Sequence, residues 1–525
     1  MTMIPQRLLG EALLISAEKD PSKTAIIVKS TEYSYLNLRE SSEKIASHLV
    51  LAGIKKGDRV AIYMSNSWEC IVSIYGITLA GAVFLVINPQ TKADKLQYIL
   101  DDSEAKILIS ESILGAELSK VLSRSEYLQE AIIFKENGQL TKMTDIKIVS
   151  LEEIITAQKL LIAFPHIIPN DLAALIYTSG STGFPKGVMM SHQSMVFTSW
   201  SLIEYLRLSE EDRILLLLPL AFDYGLYQLL MAITVGGSLM VEKSFTFQAT
   251  IYKQIEKYKP TVFPGVPTIY AMMIATSKKS GLSLESIKTV TNTAAALPAD
   301  VIPDLQKIFP NALIFKMYGL TECKRVCYLE PELIDTKPSS VGKAIPGTEV
   351  YLLSLDGEPV PQGERGILHI RGPHVMLGYW HKEDLSKEML RQGDLPWERN
   401  LCSNDWFKMD EEGFLYFLGR SDDIIKTRGE KVSPIEVENV IYNISGIKEV
   451  AVLGFPDEIL GEAIIAFITT HGKIEQDAKG VQKECMSKLE LFMVPQKIVF
   501  LDEMPKSTNG KIDKKELKKI DLDNV

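Results

Sequence analysis

Short apolar runs alternate with amphipathic stretches along most of the chain. That is the pattern expected when helices cover both faces of a mostly parallel sheet, so the chain reads as α/β. Arg59 to Tyr63 predicts a buried strand, Ser67 to Leu79 a helix and Ala82 to Ile87 the next strand; Lys106 to Ile109 and Ala131 to Phe134 continue the alternation. Between about 340 and 419 the texture changes. Glu349 to Leu353 and Gly366 to Ile370 alternate with a period of two and are separated by turn signals at Asp356-Gly357 and Pro361-Gln362-Gly363, which predicts a small β-rich subdomain. From residue 420 a charged stretch precedes a tail that reads as helix (Pro434 to Tyr442), strands (Val450 to Gly454, Ala463 to Thr469), helix (Ala478 to Leu489) and strand (Lys497 to Leu501). About 100 residues suffice for a separate α+β domain. The expected division is therefore 1–419, including the β-rich part at 340–419, and 420–525. The most apolar window, Ile214 to Met240, is interrupted by Pro219, Asp223 and Gly236-Gly237 before the roughly 20 apolar residues a membrane span needs, so it predicts buried core.

Composition narrows the function. The 525 residues carry 57 Lys and Arg against 67 Asp and Glu, a net charge of −10, which disfavours a nucleic-acid binder whose affinity comes from clustered cations. Five cysteines without paired zinc-type spacing fit a reducing, cytoplasmic setting and no metal framework. Cys323 and Cys327, four apart, predict one face of a helix and core packing. The N-terminal apolar stretch, broken by Glu11 and by Glu18-Lys19-Asp20, predicts no secretory signal.

The sharpest local signal is Leu175-Ile176-Tyr177-Thr178-Ser179-Gly180-Ser181-Thr182-Gly183-Phe184-Pro185-Lys186-Gly187. An apolar strand enters a loop rich in hydroxyls and glycines and closed by a lysine. Glycines let backbone N–H groups converge on an anion, hydroxyls add donors and Lys186 adds charge, so a polyphosphate is the natural guest. A P-loop is disfavoured, because its lysine follows Gly and precedes Ser or Thr.

With this string the chain resembles the adenylate-forming superfamily of acyl-CoA synthetases, luciferases and peptide-synthetase adenylation domains, and the matches extend from Tyr33-Ser34-Tyr35 to Lys511. The resemblance implies a large N-terminal domain of stacked mixed sheets with helices and a small, mobile α+β C-terminal domain. It also implies the reaction: ATP and a carboxylate give acyl-AMP and pyrophosphate, and the acyl group then passes to a thiol of coenzyme A or of a carrier protein's phosphopantetheine. Within it, Thr178, Ser179, Gly180, Ser181, Thr182, Gly183 and Lys186 hold phosphate. Met317-Tyr318-Gly319-Leu320-Thr321-Glu322 resembles the YGxTE box, placing Tyr318 on adenine, Thr321 on phosphate or carboxylate, and Glu322 on Mg²⁺. Ser403-Asn404-Asp405 stands where the family has TGD; Ser403 and Asn404 replace Thr and Gly, and Asp405 keeps the ribose carboxylate. Arg420 resembles the second ribose-side contact and Asp422 the hinge. Gly429 belongs to the face used in the thiol half-reaction. Lys511, in Asn509-Gly510-Lys511, resembles the lysine that bridges substrate carboxylate and α-phosphate; a cation between two mutually repelling anions stabilises the transition state most. His192, after the N-cap Ser191, is expected to be structural.

The acid pocket is expected around Phe222, Asp223, Tyr227, Thr293, Ala294 and Arg325. A carboxylate in an apolar segment requires a cationic partner. For Asp223 the first reading is a substrate amine, as in amino-acid-activating relatives, which makes the substrate an amino acid or β-amino acid; the alternative is Arg325, which would make the pair structural and leave a short or medium acyl acid as substrate. Coenzyme A and a carrier protein supplied in trans both remain open as acceptors. A luciferase-like oxygenase is disfavoured by Asp223, and an inactive scaffold by intact Lys186, Glu322, Asp405 and Lys511.

Overall fold

The computed structural model describes the chain except for residues 1–5, 136–145, 179–184, 293–296, 298–300, 421–422, 424, 428–429, 458–459, 473–476, 490, 508–510 and 521–525. Two large sheets form its body. One has eight strands in the order Gly378–Tyr379, Lys186–Ser191, Leu172–Thr178, Val83–Ile87, Arg59–Tyr63, Ile107–Glu111, Glu130–Phe134 and Lys147–Ser150. It is parallel from Leu172–Thr178 onward and antiparallel at the end that carries Lys186. The other has nine strands, with Lys343–Ala344, Cys327–Leu329, Leu313–Tyr318, Thr289–Asn292, Val262–Gly265, Arg213–Leu216, Ser238–Val241, Thr24–Val28 and Thr31–Ser34 side by side.

Strand periodicity explains the layering. Successive side chains face opposite sides, so Val60 and Ile62 join one core while Ala61 and Tyr63 join another. Likewise Ile214 and Leu216 face the first core, whereas Leu215 and Leu217 face a third. The shared first core gathers the facing sides of both sheets with the helices Tyr35–Leu51, Trp68–Leu79, His192–Tyr205 and Asp223–Val235. Helices buried between sheets cannot show a polar stripe, and every residue of Trp68–Leu79 except Glu69 is buried. The apolar window of Ile214 to Met240 is therefore core, as its interruptions predicted, and among the described residues no helix is long and apolar enough to cross a membrane.

The β-rich stretch is a five-stranded antiparallel sheet of Glu349–Leu353, Arg365–Arg371, Arg399–Met409, Leu390–Gln392 and Leu415–Arg420. The tail forms a last sheet of Glu430–Val432, Ile425–Thr427, Gly461–Thr470, Ile447–Asp457 and Lys497–Phe500, backed by the helices Pro434–Tyr442 and Ala478–Lys488 around their own core. One local expectation fails. Cys323 lies in a turn and Cys327 opens the strand Cys327–Leu329, so no helix joins them, because Gly319 and a left-handed residue at Lys324 fold the chain back on itself. Both cysteines are nonetheless fully buried, and burial raises their thiols well above the usual range.

Candidate active site

Three groups of side chains come together where the two large sheets meet the β-rich sheet and the tail. The first is built on a hairpin. Thr178 ends one strand and pairs across it with Lys186, which begins the next; Ser179, Gly180, Ser181, Thr182 and Gly183 lie outside the described residues. The Thr178 hydroxyl is buried with no hydrogen-bond partner among the described residues. The short strand Gly378–Tyr379 adds to the free edge of Lys186–Ser191, Tyr379 opposite Val188, and the Trp380 N–H donates to the Gly187 carbonyl at 2.8 Å. This brings the Tyr379 hydroxyl to 2.7 Å from Lys186 Nζ and 2.6 Å from Glu322 Oε1. Lys186 Nζ itself lies 3.4 Å from Glu322 Oε1.

Glu322 is delivered by the turn after Leu313–Tyr318. A side chain at Gly319 would place its Cβ 2.3 Å from the Lys324 carbonyl, so only glycine permits this reversal. The turn closes with Arg325 N–H to Cys323 O at 2.8 Å and Val326 N–H to Tyr318 O at 3.0 Å. Thr321 sits in it, partly exposed.

The second group joins Tyr318, Asp405 and Arg420. The Tyr318 hydroxyl donates to Asp405 Oδ2, and its ring packs on Phe407 at 4.9 Å and Phe417 at 5.7 Å. Burial, then the Asp405 charge, raises the Tyr318 phenol well above its usual value. Asp405 and Arg420 are direct cross-strand partners, with Arg420 Nε 3.8 Å from Asp405 Oδ1. The Ser403 hydroxyl accepts from the Asp405 N–H at 3.0 Å. Asn404 has φ 57°, a left-handed conformation that Asn tolerates better than other side chains. Asn404 thus supplies the conformation that glycine would supply in the TGD string it resembles.

The third group corrects the sequence reading. Asp223, the first residue of its helix, forms its ion pair with Lys324 at 3.5 Å. Arg325, the alternative partner to a substrate amine, is fully buried with its guanidinium 5.6 Å from the centre of the Tyr224 ring. The cause is the left-handed Lys324, φ 64°, which exchanges the side chains that a regular continuation would present. The Lys324 side chain is 2% exposed and lies 5.0 and 5.2 Å from the Tyr224 and Tyr227 ring centres. Burial pushes its pKa down to about 7, with Asp223 opposing the shift. Phe222 caps the same helix half-buried and Tyr227 is fully buried; Thr293 and Ala294 lie outside the described residues.

Lys511 reaches this group from the tail. Its loop is closed by Ser507 N–H to Lys511 O at 2.7 Å and by a bridge between Lys506 and Ile512. The residue is exposed, and its surroundings partly desolvate its ammonium. That desolvation lowers its pKa, with Asp223 opposing the shift and Arg420 adding to it, which places the ammonium within the field of both. Asp422 and Gly429 lie outside the described residues. His192 stands apart, buried, with its Nδ1 3.4 Å from the Leu9 N–H and its pKa pushed down to about 4 by burial. Sequence reasoning missed Tyr379 and Lys324. Lys324 adjoins the Tyr-Gly-Leu-Thr-Glu string and could have been weighed with Arg325; Tyr379 is distant in sequence and carries no local signal.

A model of the AMP-binding enzyme family matches residues 14–380, and one of the AMP-binding enzyme C-terminal domain matches 436–511. The chain is 30% identical to a long-chain-fatty-acid–CoA ligase of Bacillus subtilis, over 99% of this chain and 96% of that one. It is 27% identical to part of a linear gramicidin synthase of Brevibacillus parabrevis, over 98% of this chain but 6% of that protein. A crystal structure of an anthranilate–CoA ligase in complex with anthranoyl-AMP superposes with a TM-score of 0.88 at 27% identity, over 98% of this chain and 97% of that one. The chain belongs to the AMP-binding enzyme family and is an AMP-forming acid–thiol ligase, with which ATP, Mg²⁺ and coenzyme A are the consistent cofactors.

Proposed function

We propose that the chain joins a plain carboxylic acid to coenzyme A through an acyl-AMP formed at the three groups described above. The carrying observation is that Lys186 and Glu322 are joined through the Tyr379 hydroxyl while Tyr318 is joined to Asp405 and Arg420, a phosphate- and metal-type group and a ribose-type group on one protein. Lys511, from the tail, is the cation assigned to the reacting anions. The substrate carboxylate attacks the α-phosphorus, pyrophosphate leaves, and Lys511 stabilises the charge shared by the two reacting anions. Carboxylates are ionised at neutral pH, so no base is needed for this step.

Thr178 and Lys186, with residues 179–183, bind the polyphosphate; the Thr178 hydroxyl, without a partner among the described residues, fits a phosphate oxygen. Tyr318 and the Asp405–Arg420 pair take adenosine, and Thr321 donates to phosphate or carboxylate. Among the described residues no three His, Cys, Asp or Glu side chains form a metal cage. Glu322 would hold Mg²⁺ through a carboxylate oxygen, the ligand type this ion prefers. When bound, the metal supplies charge neutralisation on the phosphate oxygens. The division at residue 420, the hinge at Asp422, the thiol-facing role of Gly429 and a cytoplasmic setting complete the reading.

The plain acid is favoured because Asp223 already has a partner inside the protein, Lys324 at 3.5 Å. Two observations support a second reading. Asp223 remains 21% exposed, and a gramicidin synthase is among the relatives; an amine-bearing acid and a carrier-protein phosphopantetheine follow from these. Acid-dependent ATP–pyrophosphate exchange over fatty, aryl, α-amino and β-amino acids separates them. Preference for plain acids, with coenzyme A turnover, supports the first reading. Preference for amino acids, lost selectively in Asp223→Ala, rejects it for the second.

A further inference from the structure

We propose that Tyr379 is a positioning residue that keeps Lys186 and Glu322 from neutralising each other, so that the cation stays available to phosphate and the carboxylate to the metal. This rests on the reading above for what Lys186 and Glu322 do; the arrangement itself is independent of it. A direct ammonium–carboxylate hydrogen bond normally closes to about 2.7–2.9 Å. Lys186 and Glu322 stop at 3.4 Å, and each makes a shorter bond to the hydroxyl between them, at 2.7 and 2.6 Å. The one phenolic proton goes to Glu322, and the oxygen accepts from Lys186, so both hydrogen-bonding functions of the hydroxyl are used.

The ring contributes as well. Lys186 Nζ lies 4.0 Å from its centroid, within cation–π range, and Tyr379 is 2% exposed. The backbone fixes the ring through its pairing with Val188 and through the Tyr379 N–H bond to Ser386 Oγ at 2.8 Å. The spacer is thus held by the same strand edge that positions Lys186. Without the hydroxyl, the two ions close on one another, and MgATP has to separate them before it binds.

Tyr379→Phe removes only the hydroxyl and keeps the ring. The expected result is MgATP affinity lower by about 10- to 100-fold, the factor for one hydrogen bond to a charged group. Pyrophosphate exchange should show the same rise in KM for MgATP, while transfer of supplied acyl-AMP to coenzyme A, which uses neither ATP nor its metal, stays at the wild-type rate. Tyr379→Leu, the second variant, weakens MgATP binding as well, and melting curves confirm that each variant is folded. Equal MgATP affinity in wild type and Tyr379→Phe, or an equal fall in both half-reactions, overturns the proposal. Calorimetry with MgATP alone separates it from the functional reading. A wild type with no acid-dependent exchange that still loses MgATP affinity on Tyr379→Phe supports the spacer while rejecting the ligase.

Discussion

Lys324→Met tests the corrected pocket. The ammonium it removes is enclosed, 2% exposed, 3.5 Å from Asp223 and beside two tyrosine rings. Burial outweighs the partner and pushes its pKa down to about 7, whereas an unfolded lysine titrates near 10.4. Between about pH 7 and 10 the unfolded chain therefore binds more protons at this site than the folded one. Stability attributable to Lys324 rises with pH across that window and is flat below it. In mid-window the slope approaches ~1.36 kcal/mol per pH unit for one proton. Met keeps the length and apolar stem without the charge. Urea unfolding of both proteins at about pH 7, 8 and 9 is the assay. Lys316, pushed down to about 8 by its own burial, slopes identically in both proteins and cancels in the difference. Relative to wild type the variant should be most stable at pH 7, and the advantage should shrink by about 1 kcal/mol per unit as pH rises. Parallel curves would refute a buried, proton-shedding lysine at this position. Asp223→Asn removes the charge that opposes the shift, so the Lys324 pKa should fall further and the rise of stability with pH should begin below pH 7.

Other consequences are as direct. Lys511→Ala should slow pyrophosphate exchange by about 10²–10³, the range for losing one preorganised charge-stabilising group, and leave thiol transfer from supplied acyl-AMP intact; equal losses in both would place the lysine elsewhere. Asn404→Gly should melt within a degree or two of wild type, while Asn404→Val, forced to φ 57°, should lose roughly 1–2 kcal/mol; calorimetric melting decides. Asp405→Ala should raise KM for ATP far more than KM for the acid, because it severs the Tyr318 bond and the Arg420 pairing together. His374, fully buried and pushed down to about 4 by that burial, makes the fold lose stability as pH falls from about 6.5 to 4, since only the unfolded histidine protonates there. His374→Phe should flatten that limb, and an unchanged acid profile would count against it.

Much of the architecture was legible because it follows from periodicity. Strands such as Arg59–Tyr63 and Glu349–Leu353 and the helix Pro434–Tyr442 fall where alternation and capping residues place them. The helix after Ser67 begins one residue later than expected because Ser67 is its cap and accepts from the Cys70 N–H. The stacking of the layers was less visible. Helices buried on both sides, such as Trp68–Leu79, have no polar face to mark their orientation. At the site, motif strings located Lys186, Glu322, Asp405 and Lys511 but not their partners. Which of Lys324 and Arg325 meets Asp223 depends on one left-handed residue, and helical spacing between Cys323 and Cys327 failed at the same turn. Tyr379 was invisible because it lies 57 residues from Glu322 in sequence and reaches it by strand addition at a sheet edge.

The central claim is that one site forms an acyl-AMP and passes the acyl group to coenzyme A. Quantifying every product of one incubation with ATP, Mg²⁺, coenzyme A and a plain carboxylic acid tests it most directly. The account predicts AMP, pyrophosphate and acyl-CoA in equal amounts, with acyl-AMP accumulating when coenzyme A is withheld. ADP and inorganic phosphate as products, or AMP release without any thioester, would contradict it.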